Sequence, residues 1–175
     1  MSVDIRQPVF TIGHSNLEFG KFLALLMQHC IRAVADVRSS PYSQFNPQFN
    51  RETLPESLRR VGIDYLHLRE LGGLRRPRQN STNTGWRNLS FRGYADYMET
   101  QEFEKGLARL MDEANTRCVA VMCAEAVPWR CHRSLIGDAL EARGVQVFEI
   151  SSVTRAQRHK MTPFAQVEGE YVRYP

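Results

Sequence analysis

The stretch that most constrains this chain is 118–133, Cys-Val-Ala-Val-Met-Cys-Ala-Glu-Ala-Val-Pro-Trp-Arg-Cys-His-Arg. Its first six residues are short and apolar, with β-branched valines at two places, which suits a strand buried on both faces. Pro128 stops regular pairing. From Cys131 onward apolar residues recur at Leu135, Ile136, Ala139 and Leu140, a helical spacing, and Gly144 is placed to end that helix. Cys123 and Glu125 therefore stand at the carboxyl end of a strand, while Cys131, His132 and Arg133 open a helix. Open parallel sheets bind their ligands at that edge.

The rest of the chain repeats the same alternation. The patterns predict strands over 9–12, 33–37, 63–68 and 145–150. They predict helices carrying Phe19, Phe22, Leu23, Leu26 and Cys30, then Leu54, Leu58 and Val61, then Phe103, Leu107, Leu110 and Met111. Ser15 with Glu18, and Thr53 with Glu56, have the spacing of capping boxes, Thr100 is a plausible cap, and Gly62 is a plausible stop. Residues 70–93 and 151–175 carry no strong pattern. Strands alternating with helices define an α/β fold: one three-layer domain, 1–175, with a mainly parallel sheet of about five strands.

At 175 residues, 42% hydrophobic and 24% charged, the chain has the composition of an ordinary globular domain. No apolar run is long enough to span a bilayer, and no basic segment followed by an apolar run opens the sequence, so the expectation is a cytoplasmic protein without a membrane partner. Its four cysteines are then expected to be reduced. Net charge is +4, which suits an anionic partner without demanding one.

Polar groups cluster at three strand ends: His14 after the first, Asp36 and Arg38 at the second, Cys123 and Glu125 after the fourth. Cys123 is the first candidate nucleophile, its thiolate favoured by nearby arginines and the helix start; Cys131 is the second. Either could instead be a buried small hydrophobe, as Cys30 and Cys118 are expected to be. Glu125 and Asp36 either orient arginines or act as general acid or base. His14 is a catalytic candidate or a turn cap. Arg38, Arg130 and Arg133 fit bidentate binding of phosphate, sulfate or carboxylate, and His132 adjoins them. A rival grouping, Cys123, Cys131, His132 and His14, offers four metal ligands, although the eight-residue step from Cys123 to Cys131 is not a common zinc spacing. Between Leu71 and Ala95 lie five arginines and no acidic residue. With Trp86, Phe91 and Tyr94 this segment mixes cations and aromatics, as single-stranded nucleic-acid sites do, or is a solvated basic lid over the pocket. Gly73 and Tyr94 are counted with the binding residues.

These residues also carry a resemblance. Thr11-Ile12-Gly13-His14-Ser15-Asn16, Asp36-Val37-Arg38-Ser39-Ser40-Pro41, Leu71-Gly72-Gly73, and Cys123-Ala124-Glu125 with Cys131-His132-Arg133 resemble domain-of-unknown-function family 488, in order and over nearly the whole chain. Its shared Cys, Glu, His and Arg positions imply an enzyme but supply no reaction or cofactor. Asp36-Val37-Arg38, and a strand running into Cys and then into Arg133-Ser134, are more weakly similar to rhodanese-like and cysteine-phosphatase domains. Here the spacing is longer, with six residues between Cys123 and Arg130 and nine between Cys123 and Arg133. Extra residues and Pro128 would spoil a tight cradle of amides around an anion. The reading drawn from the sequence is an enzyme with an anion pocket and a cysteine nucleophile or redox group. The alternatives are a nucleic-acid or nucleotide binding module and a Cys/His metal site.

Overall fold

Residue parity within the strands decides what each face of the sheet packs against. In β4 (Val119–Cys123) all five residues are buried. Val119, Val121 and Cys123 enter one core, and Ala120 and Met122 enter the other. β2 (Ala33–Asp36) divides in the same way, with Ala33 and Ala35 on the first side and Val34 on the second. β1 (Val9–Gly13), β3 (Asp64–His67) and β5 (Val147–Ile150) complete the parallel strands. The computed structural model describes residues 7–152 and 154–175.

Helices α1 (Phe19–Gln28) and α2 (Leu54–Arg59) cover one face through Phe22, Leu26, Leu54 and Leu58. Helices α3 (Leu89–Tyr97), α4 (Gln101–Thr116) and α5 (Arg133–Ala142) cover the other, through Tyr94, Phe103, Leu107, Leu110, Leu135 and Ile136. The architecture is the expected three-layer α/β arrangement. Its sheet has six strands rather than five, because β6 (Ala156–Arg158) pairs antiparallel to β5 in the order β3-β2-β4-β1-β5-β6. The chain leaves β1 and β2 toward one face and leaves β4 toward the other. That reversal makes the carboxyl end of β4, between β2 and β1, the place where a crevice opens.

Local signals fared unevenly. Thr100 caps α4 by accepting from the Phe103 amide, and Gly62 and Gly144 follow α2 and α5 as stops. Neither proposed capping box forms. Ser15 has φ +46°, and α1 starts only at Phe19 without a side-chain cap; Thr53 also caps nothing, and Glu56 turns to Arg59. Cys30 and Val61 are exposed rather than core, since both lie in the turns that end helices. Cys118 is half-buried against the α1 side.

Two segments without pattern prove to be ordered parts of the fold. Asn88 caps α3, which begins within the patternless stretch 70–93 and runs past its end. The middle of that stretch is tied to the buried Asp96 carboxylate by the Arg78 amide, the Ser81 hydroxyl and the Asn83 side-chain amide. The C-terminal tail forms β6 and the hairpin β7 (Gln166–Glu168) and β8 (Tyr171–Arg173), and it places Val172 and Tyr174 in the main core. Tyr174 donates to the buried Asp138 at 2.8 Å, which also binds His159 and Thr162.

Candidate active site

Register brings the strand ends level. Gly13 stands opposite Cys123, and the His14 amide donates to the Cys123 carbonyl at 2.9 Å. On the other side of β4 the Val37 amide donates to the Met122 carbonyl at 3.0 Å. Above this level lies a cleft of about 930 Å³, bordered among others by His14, Arg38, Cys123, Glu125, Arg130, Cys131 and His132. Gly73 and Tyr94 also line it, so nine of the eleven residues singled out from the sequence share one cleft. Asp36 and Arg133 do not line it; both lie beneath it as supports.

One half of the site is on the α5 side. Arg133 is 1% exposed, which corrects its reading as a ligand-facing arginine on an open helix end. The correction follows from where the helix begins. Cys131 is extended, at φ −134° and ψ 144°, His132 occupies the cap position, and α5 starts at Arg133, whose side chain then drops under the sheet edge. Its Nη1 donates to the Cys123 sulfur at 2.6 Å and to the Glu125 carbonyl at 2.6 Å; Nη2 donates to Glu149 at 2.6 Å and to the Ala126 carbonyl at 3.3 Å. Glu149, not Glu125 or Asp36, is therefore the carboxylate that fixes this guanidinium. It also accepts a short hydrogen bond from Thr11. Gly13 permits this packing, since a β-carbon there would stand 1.6 Å from the Glu125 carbonyl oxygen.

The two cysteines of this half touch, with Cys131 Sγ 2.8 Å from Cys123 Sγ, and both are free and buried. Burial alone would raise the Cys123 thiol. The S–H of Cys131 and the cation of Arg133, both directed at its sulfur, outweigh burial and bring it below the ordinary thiol range. Cys131 moves the opposite way: its hydrogen bond to Cys123, then burial, hold its proton on far above that range. Of the pair, Cys123 is the more acidic sulfur and Cys131 the one that keeps its proton. His132 donates from Nε2 to the Val37 carbonyl at 3.0 Å, which leaves Nδ1 as a bare acceptor 3.6 Å from Cys131 Sγ. Burial, reinforced by Arg133, pushes His132 down to about 4, so the ring is neutral. Gly73 presses on this ring, and a β-carbon there would lie 2.9 Å from Nδ1.

The other half is on the α2 side. Asp36 is fully buried and holds Arg38 through both oxygens, at 2.9 Å to Nε and 2.7 Å to Nη2. Arg38 Nη2 also donates to the Phe49 carbonyl, and Nη1 to His14 Nε2 at 3.2 Å. Four of the five guanidinium N–H groups are thus engaged within the protein, and the fifth, on Nη1, has no partner among the described residues. Asp36 is therefore a positioning carboxylate, with Tyr65 donating to it at 2.5 Å. His14 stacks on Phe49 at 4.3 Å and donates from Nδ1 to the Ser15 carbonyl. Burial pushes it down to about 4, leaving a neutral ring.

The rim is made of exposed groups: Glu125 and Arg130, with Tyr42 and Trp129 near them. Tyr94 contributes only an edge, since it is buried and donates to the Leu71 carbonyl. Of the basic segment, only Gly73, Leu74, Asn88, Ser90 and Phe91 reach the cleft beside Tyr94. Arg75 lies over the Tyr97 ring and Arg78 pairs with Glu99, so these cations turn away from the cleft. Trp86 packs against Phe91, Phe164 and Tyr174 and is not a stacking platform.

Segment 124–132 forms a 3-10 turn, Pro128–Arg130, whose own carbonyls take the Arg130 and Cys131 amides. Those two amides are therefore spent within the turn and are not free to cradle an anion beside Cys123. Among the described residues no group of three or more His, Cys, Asp or Glu side chains is placed to hold a metal ion, so the four-ligand grouping does not assemble. No described helix is long and apolar enough to cross a membrane.

The residues sequence reasoning missed are Glu149, Phe49 and Tyr65. Glu149 had a signal: it is the one charged residue within Val147–Ile150 and shares the parity of Val147. Phe49 and Tyr65 had none, because a loop and an edge strand bring them in.

No curated protein and no solved structure matches the chain. The family model described as Domain of unknown function DUF488 matches residues 18–140, a span that includes Asp36, Arg38, both site cysteines and Arg133 but leaves His14 and Glu149 outside. Matched over most of its length, this chain belongs to the DUF488 family.

Proposed function

We propose that this protein is an enzyme in which the Cys123 thiolate attacks a small anionic substrate bound in the cleft. The observation that carries the reading is the 2.6 Å contact from Arg133 Nη1 to the Cys123 sulfur, at the floor of a cleft at the strands' carboxyl ends. The Arg133 cation, fixed against this sulfur by Glu149, favours the ionised thiol, and an ionised thiol is the reactive form. Arg38 offers its free Nη1 hydrogen to the substrate's anionic group, and Arg130 adds a cation at the rim. Glu125, exposed beside Cys123, is placed to move a proton to or from the leaving group.

The test compares alkylation by iodoacetate and by iodoacetamide, followed by peptide mass spectrometry across pH. Exposed Cys30 serves as the internal reference. Cys123 reacts with an apparent pKa below the ~8.5 of a free thiol. It also prefers the anionic reagent relative to Cys30, and that preference falls in Arg38→Lys. A Cys123 that titrates like Cys30, with no preference for iodoacetate, refutes the reading.

A further inference from the structure

We propose that this site, taken as the thiolate centre above, catalyses thiol–disulfide exchange on a small disulfide with anionic end groups, and that Cys131 resolves the Cys123 mixed disulfide with His132 Nδ1 as its base. Three contacts assign the parts. Cys131 Sγ touches Cys123 Sγ at 2.8 Å, so the two sulfurs that would bond are already in contact. Arg133 reaches both sulfurs, from Nη1 to Cys123 at 2.6 Å and from its amide to Cys131 at 3.4 Å. His132, whose Nε2 hydrogen is held by Val37, turns its lone pair toward Cys131 at 3.6 Å.

The steps balance. The Cys123 thiolate attacks one sulfur of the disulfide, forming a Cys123–substrate S–S bond and breaking the substrate's own; the first half leaves as a thiolate. Cys123 now carries no charge. The hydrogen bond and negative charge that held the Cys131 proton in place are gone, while Arg133 remains beside its sulfur. Cys131 turns its S–H to His132 Nδ1 and attacks Cys123 Sγ. The second half departs and takes the proton from His132. The dithiol is oxidised to a disulfide and the substrate disulfide is reduced to a thiol and a thiolate. The same contact that quiets Cys131 at rest thus releases it only after Cys123 has reacted, so the first step triggers the second. The anionic ends are those that Arg38 and Arg130 face across the cleft.

The experiment uses the full chain carrying Cys30→Ser and Cys118→Ser, with dipyridyl disulfide as the probe. The expected result is two thiopyridones per protein. The second appears in a phase whose rate does not depend on reagent concentration, and the product is lighter by two hydrogens without an adduct. Cys131→Ser releases one thiopyridone and keeps the adduct on Cys123. His132→Gln, whose amide can still donate to Val37, slows the second phase relative to the first by about ten-fold. A protein with intact Cys131 that retains the adduct, or a second phase that scales with reagent, overturns the inference whether or not the variants fold. A first phase as slow as that of an ordinary thiol refutes the thiolate reading instead, so the two failures are told apart. Oxidised glutathione, which carries carboxylates, reacts faster relative to neutral hydroxyethyl disulfide in this protein than in the Arg38→Lys variant; equal ratios refute the anionic substrate class.

Discussion

Arg133 reaches Glu149 from Nη2 at 2.6 Å and from Nε at 3.4 Å, while its Nη1 sits 2.6 Å from the Cys123 sulfur. Glu149 therefore competes with the Cys123 sulfur for a single buried cation. It fixes the guanidinium and weakens its pull on Cys123.

Glu149→Gln should separate those roles. The amide keeps an acceptor for Thr11 and Arg133 but removes the charge, so the guanidinium no longer divides its attraction between Glu149 and the Cys123 sulfur. Stability should fall, by about 3 kcal/mol, the usual cost of breaking a buried ion pair from one side. The Cys123 thiol should move further down, because the Arg133 cation is then shared with one anion fewer. Denaturant unfolding and pH-dependent alkylation read the two effects, and a Cys123 pKa that rises in this variant would show that Glu149 does not share Arg133.

Gly13→Ala asks whether the crossing of β1 with the Glu125 carbonyl is as tight as the structure has it. A β-carbon 1.6 Å from that oxygen cannot be accommodated without moving segment 124–126, which supplies two of the carbonyls that hold Arg133. A loss of at least about 3 kcal/mol is expected, in the range reserved for buried overpacking and broken networks. A variant within 1 kcal/mol of wild type, by the general scatter of surface substitutions at about ±0.5 kcal/mol, would contradict that packing.

Acid should act through two neutral histidines. His14 and His132 are both held down to about 4 by burial, against 6.5 unperturbed. A folded-state pKa below the unfolded one means that the unfolded chain binds the extra proton. The stabilisation is fully present above pH 6.5 and is lost as pH falls toward 4. Each histidine contributes up to about 1.4 kcal/mol per pH unit in that window. Melting temperatures between these limits should flatten in His14→Asn, and an unchanged slope would mean that His14 titrates normally.

Tyr174→Phe tests whether the C-terminal tail belongs to the core. The hydroxyl donates to buried Asp138 at 2.8 Å, and its removal leaves that carboxylate one donor short. A destabilisation of about 1–3 kcal/mol follows from the cost of an unpaired buried acceptor. Unfolding at wild-type denaturant concentration would mean the tail docks without this bond.

Residues that carry their own periodicity announced their structure in the sequence. The apolar run ending at Cys123, the helical spacing from Leu135 to Leu140 and the strand-end positions of His14, Asp36 and Arg38 needed no tertiary information, because strand and helix periods are local properties. The parallel class and the edge that carries the cleft followed from the order of those elements. What could not be read was which polar groups face the ligand and which face one another. Whether Arg133 looks up into the cleft or down to Glu149 depends on a two-residue shift in where α5 begins and on a strand that follows it in the chain. Asn88 was a cap signal too short to stand alone, and α3 is held by packing through Tyr94 and by Asp96 rather than by a strong apolar stripe. The tail strands alternate too briefly to show a period, and Tyr174 is buried by Asp138, a partner 36 residues away. Local chemistry dictated the elements, and long-range pairing of buried charges decided the roles, since a buried ion takes whichever partner the fold brings within hydrogen-bond reach.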